Sequence, residues 1–147
     1  MSVSASIDLQ LAVSNRSRLS RVEIVQSFLA FGWTLNDGGG VSYLPVGDDD
    51  EFDWLTANIN HDEVLEVLKK KEMLGELIGI SMTWKESGIG GDFLLRSDGA
   101  ISVILTKNIK RVIETGFADV NWYINKVITP LSRVARIESL RYNEIGS

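Results

Sequence analysis

Asp48, Asp49, Asp50 and Glu51 stand in an unbroken run, followed by Phe52, Asp53 and Trp54, and no other stretch of the chain comes as close to a chemistry by residue type and spacing. Carboxylate oxygens suit calcium and magnesium, but adjacent acids on an extended loop point in opposite directions. The run also lacks the alternating ligands, central glycine and distant glutamate of an EF-hand loop. A solvated acidic loop is therefore expected, with no metal and no cofactor. The single histidine, His61, falls in the first turn of an expected helix, and no serine occupies a G-x-S-x-G elbow, so a histidine-activated nucleophile finds no support. Cysteine is absent, which removes thiol chemistry and thiolate metal cages. Gly38-Gly39-Gly40 and Gly88-Ile89-Gly90-Gly91 neither open a helix after a strand nor end in the lysine of a nucleotide loop, and they read as turns. Any two of the 20 acids could converge as a general acid and base, and the sequence singles out no pair. The expectation is a protein that is not an enzyme.

The same acids point to binding. Between Arg21 and Lys69 there is no lysine or arginine, yet that stretch holds ten carboxylates: Glu23, Asp37, Asp48, Asp49, Asp50, Glu51, Asp53, Asp62, Glu63 and Glu66. The rest of the chain carries all 15 lysines and arginines, so a formal net charge of -5 is split into an acidic block and a mildly basic remainder. Charge of one sign gathered in one region attracts and steers oppositely charged partners. Asp48, Asp49, Asp50, Glu51, Asp53, Asp62 and Glu63 are the candidate electrostatic contacts. Trp54, directly behind the run, is the candidate aromatic anchor of such an interface. Phe52 and Trp54 turned inward, with the acids facing water, is the plainer alternative.

Composition narrows the partner class. A sequence pI near 4.9 opposes phosphate binding, and no basic strand studded with aromatic residues is present, so direct nucleic-acid binding is not expected. Residues Met1 to Asn15 alternate polar and apolar side chains, without a basic head or a continuous apolar run. Neither a signal peptide nor a membrane anchor is expected. The lack of cysteine favours a reducing compartment, and the chain reads as cytoplasmic.

The elements that must hold these residues follow from periodicity. Ile7, Leu9, Leu11 and Val13 alternate as in a half-buried strand. Ser20 stands three residues before Glu23, a capping-box spacing, with Val22, Val25, Phe28 and Leu29 forming the stripe of a first helix that ends at Gly32. Trp33 to Leu35 and Val41 to Val46 bracket the turn-forming run Asn36 to Gly40 and predict a hairpin. A short strand is expected over Trp54 to Ile59. Asn60 with Glu63 then opens a second helix whose buried stripe takes Val64, Leu65, Leu68 and Met73, with Lys69, Lys70 and Lys71 complementing the dipole at its end. Ile78 to Trp84, Asp92 to Arg96 and Ile101 to Leu105 predict a three-stranded meander. Ile109, Arg111 and Ile113 predict a further strand. Asp119 caps a third helix presenting Val120, Tyr123, Ile124, Val127 and Ile128, which Pro130 should end or kink, and Arg136 to Ile145 closes the chain as a strand. The sum is one α+β domain over residues 1–147, with about three helices packed on a largely antiparallel sheet.

Two stretches, GISMTWKESGIGGDFLL from Gly79 to Leu95 and DVNWYINKV from Asp119 to Val127, resemble segments of the small cytoplasmic immunity proteins that accompany bacterial polymorphic toxins, those of contact-dependent growth inhibition among them. The resemblance implies a non-catalytic protein that binds a cognate toxin domain, often a basic nuclease, and blocks its active site. The competing expectations are a small-ligand or adaptor domain, with Trp84 and the Gly88 to Gly91 loop lining a pocket, and a hydrolase using acids and a divalent ion.

Overall fold

A computed structural model describes residues 3–12, 20–35 and 40–146. Val13, the turn residues 36–39 and with them Asp37 lie outside the described residues. The elements in chain order are β1 (Val3–Leu11), α1 (Arg21–Phe31), β2 (Trp33–Thr34), β3 (Val41–Tyr43), β4 (Leu55–Ala57), α2 (His61–Leu74), β5 (Ile78–Trp84), β6 (Gly90–Leu95), β7 (Ala100–Lys107), α3 (Val120–Ser132) and β8 (Ile137–Gly146). The α+β class holds: among the described residues, three helices pack on one eight-stranded sheet whose pairings are all antiparallel. The strand order is β4-β3-β5-β6-β7-β1-β8, with β2 joined to β5.

Alternation decides which side of the sheet is covered. In register across five strands, Tyr43, Ile80, Phe93, Val103 and Ile7 line up on one face. These residues form the core with Val22, Val25 and Phe28 of α1, Val64 and Leu68 of α2, and Tyr123, Val127 and Leu131 of α3. Burying such side chains contributes about 1.5–3 kcal/mol each. Phe28 meets Phe93 edge-on with ring centroids 5.0 Å apart, which ties α1 to the middle of the sheet.

The helices begin where their capping residues stand. Ser20 accepts from the Glu23 N–H at 3.2 Å, Asn60 and Glu63 close a full capping box, and Asp119 accepts from the Trp122 N–H at 3.3 Å. Gly75 ends α2 in the left-handed conformation at φ 70°. Pro130 lies in the last turn of α3, which runs on to Ser132.

Three expectations are corrected. β2 and β3 do not form the expected hairpin. Both pair with β5, Thr34 opposite Thr83 and Tyr43 opposite Ile80, so they lie one after the other along the same edge. Residues 109–113 form no strand either. Only an isolated bridge joins Arg111 to Ala118, the chain turns back through Gly116 at φ 75°, and Ile113 is 96% exposed. Met73 is 87% exposed and does not belong to the buried stripe of α2.

Candidate protein-docking site

The acidic run folds into a closed loop between β3 and β4, built around the ammonium of a lysine that comes from α2. Lys71, in the last turn of α2, is wholly buried, and its Nζ donates to the carbonyl oxygens of Pro45 and Asp48, each at 2.7 Å. The Glu76 carboxylate lies 3.5 Å from the same ammonium and accepts the Gly47 N–H at 2.9 Å. Asp48 is itself buried, and its carboxylate accepts from three successive backbone N–H groups: Glu51 at 3.2 Å, Phe52 at 3.1 Å and Asp53 at 2.8 Å. Desolvation pushes the Asp48 carboxyl up, but these three donors and the Lys71 ammonium outweigh it and hold the group below the usual carboxylate range. Burial lowers the Lys71 ammonium from its ordinary value, against the opposing pull of Glu76, Asp48 and Asp49.

Other contacts pin the loop to the body of the protein. Asp49 accepts the Leu77 N–H at 3.0 Å at the entry to β5, and Asp50 pairs with Arg96 at 2.8 Å. Trp54 is half-buried over the uncovered face of the sheet, against the small cluster of Leu44, Leu77 and Leu94. Gly79 makes that packing possible: a Cβ there would lie 2.6 Å from Leu44 and 3.1 Å from the Trp54 ring. Asp50 and Phe52 adopt φ values of 74° and 58°, a region that non-glycine residues enter at a cost unless surrounding contacts hold them.

The structure therefore sorts the candidate residues. Asp48 is an internal scaffold rather than a contact, and Asp49 and Asp50 remain exposed while also bonded to the fold. Glu51 and Asp53 are exposed, the former also accepting the Asp49 N–H at 2.6 Å. Trp54 is turned onto the sheet, and the apolar groups shown to solvent beside the acids are instead Phe52, 43% exposed, and Leu55, 44% exposed. Asp62 and Glu63 sit apart at the start of α2, about 14 Å along the helix from Lys71 at 1.5 Å per residue. Glu63 is occupied by the capping box. His61 is exposed at the same helix start.

Lys71 was masked by its neighbours in the lysine run. A signal for it does exist in the spacing, because Val64, Leu68 and Lys71 recur at i, i+4 and i+7 and so share one helix face. Among the described residues, no three histidine or acidic side chains converge on a point where a metal could bind, and no helix is long and apolar enough to cross a membrane. Gly90 and Gly91 belong to β6, and Trp84 packs against Trp33, Phe31 and Trp122. A cavity of about 570 Å³ lies elsewhere, floored by Leu11, Ile24, Leu95 and Ile101 and edged by Arg21 and Arg96. Compared with known proteins, the chain matches no family model, no curated protein and no solved structure.

Proposed function

We propose that this chain is a non-catalytic inhibitor of the immunity type, acting in the cytoplasm, which captures a basic, nuclease-like toxin domain with the outer surface of the loop from Gly47 to Asp53. The observation that carries the reading is the architecture of that loop. A buried ammonium and three converging backbone donors hold it in a single shape, so that it presents Asp49, Asp50, Glu51 and Asp53 around the exposed Phe52 and Leu55. A preordered loop loses little entropy on docking, and carboxylates at its rim speed encounter with a cationic surface while apolar anchors slow release. The resemblance of Gly79 to Leu95 and Asp119 to Val127 to immunity proteins agrees with this role.

Co-purification with the product of a neighbouring gene tests the pairing, and stopped-flow association tests the surface. Replacing Glu51→Gln with Asp53→Asn should slow association about threefold to tenfold at low salt and leave the thermal midpoint in place. Replacing Phe52→Ser should instead speed dissociation. An association rate that ignores both the loop charges and the salt concentration would sink the assignment. The cavity beside Arg21 favours a second reading, a small-ligand domain, because its size is that of a ligand pocket and its floor is apolar. Thermal-shift screening with carboxylate-bearing small molecules separates the two, since only that reading expects Arg21→Lys to abolish a ligand-induced shift.

A further inference from the structure

At the end of β5 away from the acidic loop, aromatic rings and cations interleave. Trp84 is half-buried, with its ring centroid 5.6 Å from Trp33, 6.3 Å from Trp122 and 5.5 Å from Phe31. Two ammonium groups lie over that one ring, Lys85 Nζ at 5.0 Å and Lys126 Nζ at 4.6 Å from its centroid. Lys126 also faces Trp122 at 5.8 Å, and the Arg133 guanidinium sits 5.4 Å over Phe31. Among the described residues, the ion pairs involve other lysines and arginines, so these three cations keep their charge available. Attraction to the ring quadrupoles fixes their positions without neutralising them.

The backbone is shaped to the same end. Gly32 has φ 138°, and a Cβ on it would come within 2.7 Å of the Trp84 ring and 3.1 Å of Lys85 Cε. Lys85 is left-handed at φ 47°, and its N–H donates to the Gly32 carbonyl at 2.9 Å. The missing side chain at Gly32 and the left-handed turn at Lys85 together leave room for the Lys85 ammonium above Trp84.

We propose that this patch docks an acidic segment of a partner protein, whose aspartate or glutamate carboxylates meet Lys85, Lys126 and Arg133. Charge complementarity identifies the occupant, for here a molecule of net charge -5 gathers in one place three cations that make no ion pair among the described residues. A single-stranded nucleic acid is disfavoured because it holds to such platforms by stacking bases on open rings, and ammonium groups already cover Trp84. The patch is a surface separate from the acidic loop, since the six steps along β5 from Ile78 to Trp84, at about 3.3 Å each, put about 20 Å between them.

Titrating the full chain with poly-L-glutamate at low salt, followed by tryptophan fluorescence, tests the proposal. The emission of Trp84 and Trp122 should change on binding, and the response should fade as salt is added. Apparent affinity should fall about tenfold in the Lys85→Gln, Lys126→Gln double variant and persist in Lys126→Arg, which keeps a cation over the ring. Thermal melts confirm that each variant is folded. No response at low salt, or an unchanged response in the double variant, overturns the proposal. Tighter binding of an oligo-dT strand than of poly-L-glutamate also overturns it, in favour of nucleic acid. So does self-association that the double variant abolishes while poly-L-glutamate produces no signal, which would make the occupant a second copy.

Discussion

Lys71 and Asp48 are the residues whose chemistry the loop cannot do without. Replacing Lys71→Met would leave the carbonyl oxygens of Pro45 and Asp48 buried without their donor and the Asp48 carboxylate without its countercharge. The cost should be about 3 kcal/mol in urea unfolding, and the Leu77 N–H that Asp49 holds should exchange faster with solvent. The two groups respond to pH in opposite senses. The folded state holds the Asp48 carboxyl below the value of about 3.9 expected when unfolded, so its contribution is complete above that pH and is lost as pH falls through the folded value. Burial depresses Lys71, so folding works against its ammonium at neutral pH, and this penalty shrinks as pH rises from the folded value towards about 10.4. Urea midpoints measured from pH 7 down through the acid range should fall for the native chain and fall less steeply for Asp48→Asn, which has no carboxylate to protonate. Equal slopes would mean that Asp48 is not the group responsible.

The elements show what periodicity can and cannot reveal. Helix starts were legible because a cap is a local event, decided by Ser20, Asn60 and Asp119 and the residue three positions on. The meander of β5, β6 and β7 was legible because its strands alternate and its turns are short. Strand partners were not. The run between Trp33 and Val41 carries hairpin chemistry, yet both flanking strands pair with β5, some 40 residues further on, and no local pattern encodes that choice. Ile109, Arg111 and Ile113 alternate like a strand but leave Ile113 in solvent, because the Val112 N–H and carbonyl are taken by a tight turn with Phe117 and Gly116. The acidic run was recognisable as a feature, while its internal cation lies more than 20 residues away and was hidden among three lysines. The fit of Trp54 over Gly79 was equally out of reach, since the two residues lie 25 positions apart in the sequence and meet only once β3 has paired with β5. Replacing Gly79→Val should cost about 1–3 kcal/mol of stability through the collision with Leu44, and near-ultraviolet circular dichroism should report the displaced Trp54.

Across the whole molecule, the sheet separates two charged surfaces by position. The acidic loop stands at the start of β5 and the cation–aromatic patch at its end, with the helical core on one face between them. Next to the edge of the sheet lies β1, which pairs with β7 on one side and with the edge strand β8 on the other, Ile7 lying opposite both Val103 and Tyr142. A chain ending before Ile137 would leave one edge of β1 bare and should lose its cooperative melt, which circular dichroism would show; a sharp transition in that shortened chain would mean β8 is dispensable. The same pairing orders events during synthesis. At about 5–20 residues per second, β1 leaves the ribosome about 6 to 25 seconds before β8 can reach it. Throughout that interval the side of β1 that β8 covers has no partner, even after β7 has been made and can pair with its other side.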